Sequence, residues 1–161
     1  MVNWERETLN YFLVNVFHEI LKAEEQSISS TEFSNLSLKE IHVLEAVCLA
    51  SDQGKDNRAA AIASALRITP GTLTTSVSLL EKKGYLIRKK DENDKRVVRI
   101  FATEKGLAAQ QKHIAFHHEM IDGILDALNQ EEAHAFACAL EKLQTFFNEK
   151  YHNNSQKKRK E

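Results

Sequence analysis

The chain has 161 residues, 42% apolar and 28% charged, which suits one globular protomer with its own core and is too polar for a membrane-spanning protein. The formal charge of −1 excludes a uniformly basic nucleic-acid coat. The charge is nevertheless segregated: residues 55–105 hold 12 Lys/Arg against 6 Asp/Glu, the remainder 10 against 17, so the central stretch is the part suited to a polyanion.

In chain order, Trp4 to about Ser27 is predicted as a helix, because Leu9, Phe12, Leu13, Val16, Phe17, Ile20 and Leu21 recur at spacings of three and four. This stripe is broader and more aromatic than a lone surface helix needs. A polar break, Ser29 to Asn35, precedes Ser37 and Glu40, a capping box that opens a second helix carrying Ile41, Leu44 and Val47. Ser51 to Asn57 reads as a loop, and Arg58 to Leu66 as a short alanine-rich helix. Arg67-Ile68-Thr69 then turns into a further helix, with Thr69 as its cap and Pro70 at its first position. Two helices joined by so short a turn have helix-turn-helix spacing.

That second helix places Leu73, Val77 and Leu80 on one stripe for the core. Gly71, Thr75, Ser78 and Lys82 lie opposite, flanked by Thr72 and Thr74. A small, hydroxylated face with a basic end suits a DNA major groove. Gly84 stops the helix. Tyr85–Lys90 and Val97–Ala102 read as strands around the polar turn Asp91–Arg96, a hairpin wing able to reach a minor groove. Thr103 caps a long helix to about Leu128, and a last helix runs from Glu131 to about Tyr151. The tail from Asn153 is basic and expected to be disordered.

The fold class expected is mainly α with a small β-hairpin wing: a winged helix-turn-helix domain with N- and C-terminal dimerisation helices. The expected divisions are 1–36 for the N-terminal helix and linker, 37–102 for the DNA-binding domain, 103–151 for the C-terminal helices, and 152–161 for the tail. The terminal helices carry more apolar surface than a small winged domain can cover, so a two-fold homodimer is expected.

Arg96 is the foremost candidate for a narrow minor groove. Thr72, Thr74, Thr75 and Ser78 are candidates for base and phosphate contacts, and Lys82, Lys83, Lys95 and Arg99 for phosphates. His113 and His117 share a helix face; with His42 and Glu24 they form an alternative zinc set, although histidines hydrogen-bonded at a helix junction are the plainer reading. Phe12 and Phe17 are candidates for an apolar effector pocket, and dimer packing explains them equally well. Cys48 and Cys138 lie far apart without a CxxC, which points to a reducing, cytoplasmic compartment. Each sits in an apolar helical pattern, favouring inert thiols over redox sensing. No Walker loop, GxGxxG, GxSxG or HExxH occurs, so neither an enzyme nor a cofactor is indicated. No apolar run nears the roughly 20 residues of a membrane span.

Leu80–Arg88 (LEKKGYLIR), Asp94-Lys95-Arg96 and Ala102–Gly106 (ATEKG) together resemble the MarR-type transcriptional regulators, which usually have Leu-Thr-x-x-Gly at the last of these. The resemblance extends through the helical flanks to nearly the whole chain. It implies that Asp94 braces Arg96 by a salt bridge, that the terminal helices dimerise, and that the operator is pseudo-palindromic double-stranded DNA. The runs SLKEIH (37–42), TPGTLTTS (69–76) and HIAFH (113–117) are similar to the subgroup that represses fatty-acid biosynthesis genes. That likeness implies a long acyl chain carried on acyl carrier protein as corepressor. A zinc-responsive regulator is the alternative; a ligand-free architectural DNA-binding protein or a thiol redox sensor are weaker ones.

Overall fold

The structure, a computed structural model, describes residues 2–52, 54 and 56–152; the basic tail expected from 153 onward lies outside them. Helix α1 (Val2–Tyr11) passes through a π-helical turn (Phe12–Val16) into α2 (Phe17–Ser29), so the single helix expected from Trp4 contains an irregular turn at its most apolar point. There follow α3 (Leu38–Asp52), α4 (Ala59–Leu66), α5 (Pro70–Lys82), strands β1 (Leu86–Lys90) and β2 (Val98–Ala102), α6 (Glu104–Asp126) and α7 (Gln130–Phe147), the last running into a second π-helical turn (Asn148–His152). No helix among the described residues is long and apolar enough to cross a membrane.

Local signals account for most helix ends. Ser37 and Glu40 close their capping box, with the Ser37 N–H donating to Glu40 Oε2 at 2.8 Å and the Glu40 N–H to Ser37 Oγ at 3.3 Å. Helix α3 continues through Ser51 and Asp52, which sequence assigned to the loop; the Ser51 hydroxyl donates back to the Val47 carbonyl at 3.2 Å. Asn129, between the helices expected to end near Leu128 and to start at Glu131, is the cap of α7 and forms a capping box with Glu132.

The chain divides into two compact units, 1–116 and 117 onward, the division falling inside α6. In the first unit Ile41, Leu44 and Val47 of α3 pack with Ile62 of α4, Leu73, Val77 and Leu80 of α5, Leu86 of β1 and Ile100 of β2. Each such side chain contributes roughly 1.5–3 kcal/mol of burial free energy. The boundaries expected after 36 and after 102 both fall within this unit. The reason is physical: Glu24 and Ile28 of α2, and Gly106, Ala109, Gln110 and His113 of α6, are buried in it. In the second unit Ile121, Ile124, Leu125, Phe136, Leu140, Phe146 and Phe147 are exposed.

Strands β1 and β2 pair antiparallel, Leu86 opposite Ala102 and Lys90 opposite Val98. The residues before α4 dock on this hairpin: Arg58 bridges Arg99, the Ile100 N–H donates to the Asn57 carbonyl at 3.1 Å, and Asn57 Nδ2 donates to the Ile100 carbonyl at 3.2 Å. The wing and the helix-turn-helix are therefore hydrogen-bonded into one body.

Candidate nucleic-acid interface

The turn into α5 is set by backbone geometry. Arg67 ends α4 in the left-handed region (φ 57°), a conformation that usually selects glycine, and the Ile68 N–H reaches back to the Ala63 carbonyl at 3.1 Å. Thr69 then caps α5, its Oγ1 accepting from the Thr72 N–H at 3.1 Å, with Pro70 next. Leu73, Val77 and Leu80 are buried, while Thr72, Thr74, Thr75, Ser78 and Lys82 are exposed. The hydroxyls are already oriented: Thr74 Oγ1 donates to the Pro70 carbonyl at 2.9 Å, and Thr75 Oγ1 to that of Gly71 at 3.1 Å. With their protons so committed, these two threonines show methyl groups and acceptor lone pairs to the outside.

The wing tip is a braced guanidinium. Asp94 Oδ1 accepts from the Arg96 N–H and from Arg96 Nε, both at 3.0 Å, and Asp94 Oδ2 accepts from Arg96 Nη2 at 3.1 Å. The bonds from Arg96 hold the Asp94 carboxyl below its usual pKa. The Arg96 side chain is nevertheless 91% exposed, so bracing costs it little reach. Asp91 organises the turn, accepting from the N–H groups of Asn93 at 2.9 Å and Asp94 at 3.1 Å. Arg99, with those N–H groups, lowers Asp91 to a pKa of about 2.

Two of the cations expected at phosphates are engaged elsewhere. Lys83 Nζ donates to both oxygens of Glu40 at 2.7 Å and to the Asn35 carbonyl at 2.6 Å, tying the end of α5 to the start of α3. Arg99 Nε pairs with Asp91, and its Nη1 donates to Asn57 Oδ1 at 2.9 Å. Both are ion-paired within the protein. Lys82 and Lys95 are exposed. Sequence reasoning missed Arg88, which pairs with Glu81 and donates through Nη2 to Ser78 Oγ at 3.1 Å and the Thr74 carbonyl at 3.2 Å. A Glu and an Arg seven residues apart around Gly84 were the available signal.

Elsewhere in the first unit, the buried Glu24 carboxylate faces two imidazoles, His42 Nε2 at 2.9 Å and His113 Nε2 at 3.4 Å. Glu45 Oε2 lies 3.9 Å from the same His113 nitrogen. His117 follows His113 one turn along α6. A cavity of about 590 Å³ opens between α3 and α4, walled by Ala46, Leu49, Ala50, Ile62, Ala65 and Leu66 among others. The aromatic pair expected at an effector pocket does not line it: Phe12 is half-buried in the π-helical turn and Phe17 is 52% exposed. Burial, with the carboxylates of Asp52 and Glu45, pushes the Cys48 thiol up to about 11, so it is unreactive at neutral pH. Cys138 is partly exposed, its Sγ 3.7 Å from His134 Nε2.

The MarR family model matches residues 36–98. The HTH-type transcriptional regulator YwhA of Bacillus subtilis (strain 168) is 33% identical over 76 residues, 47% of this chain and 55% of that protein. The HTH-type transcriptional regulator BilQ of Clostridium symbiosum is 33% identical over 82 residues, 51% and 57% respectively. The chain thus spans little more than half the length of these curated relatives. Among solved structures, Streptococcus pneumoniae FabT in complex with DNA aligns with a TM-score of 0.82 at 30% identity, over 89% of this chain and 98% of that one. The Staphylococcus aureus MepR–DNA complex, 21% identical with a TM-score of 0.70 over 86% and 95%, shares the fold. An exposed hydroxylated helix, an arginine-tipped hairpin braced by Asp94, and these matches converge: the chain belongs to the MarR family of winged-helix regulators.

Proposed function

We propose that this chain is a cytoplasmic, DNA-binding transcriptional repressor and not an enzyme. As a homodimer it binds a pseudo-palindromic operator, α5 in the major groove and Arg96 in the flanking minor groove. The observation that carries this reading is the pairing of a hydroxylated, solvent-facing α5 with a guanidinium that is braced yet 91% exposed. Dimerisation is supported by bare apolar side chains on α1, α2 and the π-helical turn between them, Trp4 at 73%, Phe17 at 52% and Val14 at 62%, more than an isolated protomer usually leaves in water. Arg96→Ala is expected to weaken operator binding by roughly 1–3 kcal/mol in a gel shift; unchanged affinity would remove the wing from the interface.

The genes proposed are those of fatty-acid biosynthesis, with long-chain acyl-acyl carrier protein as corepressor. This finer reading rests on the sequence resemblance and on the likeness to FabT along almost the whole of that chain. The corepressor acts by differential affinity for the DNA-competent dimer. A second reading has its own observation: Glu24, His42 and His113 converge their ligand atoms, and imidazoles with a carboxylate make a reasonable set for zinc. One gel-shift series separates the two. Acyl-acyl carrier protein, and not the unacylated form, tightens binding under the first reading. Under the second, zinc tightens it and His113→Ala abolishes the response.

A further inference from the structure

We infer that Arg88 fixes the hydrogen-bonding polarity of the recognition face, making Ser78 a donor that selects an acceptor-bearing base edge. The inference rests on the DNA-binding reading of α5 and deepens it. Thr74 and Thr75 follow the habit of hydroxyls within helices, donating to the carbonyl four residues back. Ser78, given the same option, would donate to the Thr74 carbonyl. Ser78 does not take it, and the Thr74 carbonyl is bonded by Arg88 instead. Its Nη2 donates to that carbonyl at 3.2 Å and to Ser78 Oγ itself at 3.1 Å. A guanidinium has no lone pair to offer, so Ser78 Oγ accepts here, and its own proton is left for an acceptor outside the protein.

Glu81 holds the guanidinium in this pose. Its Oε2 pairs with Arg88 Nη1, and its Oε1 accepts the Arg88 backbone N–H at 2.9 Å. The side chain is 30% exposed, partly withdrawn from water between β1 and α5. Arg88 is therefore a positioning residue that acts through Ser78.

The chemistry this predicts is specific. Thr74 and Thr75 present acceptors and methyl groups, which suit an exocyclic amine or a thymine methyl. Ser78 presents a donor. In the major groove guanine offers N7 and O6, adenine N7 and thymine O4 as acceptors, whereas cytosine offers only its N4 donor. The base facing Ser78 in each half-site is thus any base except cytosine, with guanine the best match.

The test uses the full-length protein and a duplex that it selects from a random library, with dissociation constants read by fluorescence anisotropy for every single-base substitution. One position per half-site should penalise cytosine by about three- to tenfold, the value of one hydrogen bond. Ser78→Ala should erase that penalty and leave the other positions unchanged. Arg88→Lys can still pair with Glu81 but lacks the fork that spans Ser78 and Thr74; it should erase the same penalty, and the double variant should erase no more. If Arg88→Lys weakens all duplexes by one common factor while the cytosine penalty survives, Arg88 merely packs and the inference is overturned. Should that variant not fold, as judged by its thermal melt, Ser78→Ala alone decides: an unchanged base profile overturns the assignment. Selection of no preferred duplex overturns the operator reading as well as this one, which distinguishes the two failures.

Discussion

Gly106→Ala is expected to be the most damaging conservative substitution in the chain, costing roughly 3 kcal/mol. A methyl group there would sit well inside van der Waals contact of the Tyr85 carbonyl oxygen and 3.2 Å from Leu44 Cδ1. Neither neighbour can yield easily. The Tyr85 carbonyl accepts from the Thr103 N–H at 3.0 Å, while Thr103 Oγ1 donates to the neighbouring Gly84 carbonyl at 2.7 Å and accepts from the Gly106 N–H at 3.1 Å. Tyr85 is itself buried, its hydroxyl donating to Asn35 Oδ1 at 2.6 Å. Relief requires α6 to lift from the winged lobe. The urea midpoint should fall with little change in slope; an unmoved midpoint would mean that α6 is not seated on Tyr85 as described.

The second large effect comes from Lys83→Met, expected to cost about 2–3 kcal/mol at neutral pH because it leaves the Glu40 carboxylate buried without its cation. Burial by itself pushes the Glu40 carboxyl up, but the bonds from Lys83 and from Ser37 outweigh it and leave the group below its ordinary 4.5. A carboxyl depressed in the folded state stabilises above its unfolded pKa, and that contribution is lost as pH falls through the lower folded value. The gap between wild type and Lys83→Met should therefore be widest near neutrality and narrow on acidification, because the variant's Glu40, buried without its cation, takes up a proton before the wild type's does. Urea midpoints across pH 3–7 check it, a range chosen to bracket the roughly 4.3 of a free glutamate. A gap independent of pH would show that the lost lysine contributes by packing alone.

What sequence revealed and what it hid divide along the range of the interactions. Thr69, Pro70, Gly84 and the Leu73–Val77–Leu80 stripe act within a turn or two, and each is where local chemistry places it. Thr75 and Ser78 are exposed as the wheel requires. Lys83 looked like a phosphate contact because its partner Glu40 lies 43 residues away; Arg99 did so because Asn57 lies 42 away and Asp91, eight away, meets it only once the hairpin has formed. A basic composition cannot say which cations are already spoken for inside the fold. Arg67 is a further case: nothing but the backbone shows that this residue takes the left-handed turn. The π-helical turn at Phe12–Val16 escaped because its side chains keep a helical spacing. The meeting of Glu24 with His42 and His113 joins three helices, and among these groups only the His113–His117 spacing was visible in the sequence.

The central claim is that two copies grip one duplex, each through α5 and the Arg96 hairpin. Hydroxyl-radical footprinting of the selected operator tests it most directly. Two symmetric sets of protections are expected, centred about one helical turn apart, with outer minor-groove protections that vanish in Arg96→Ala while the inner ones persist. A single unsymmetric footprint, or outer protections untouched by that substitution, would contradict it.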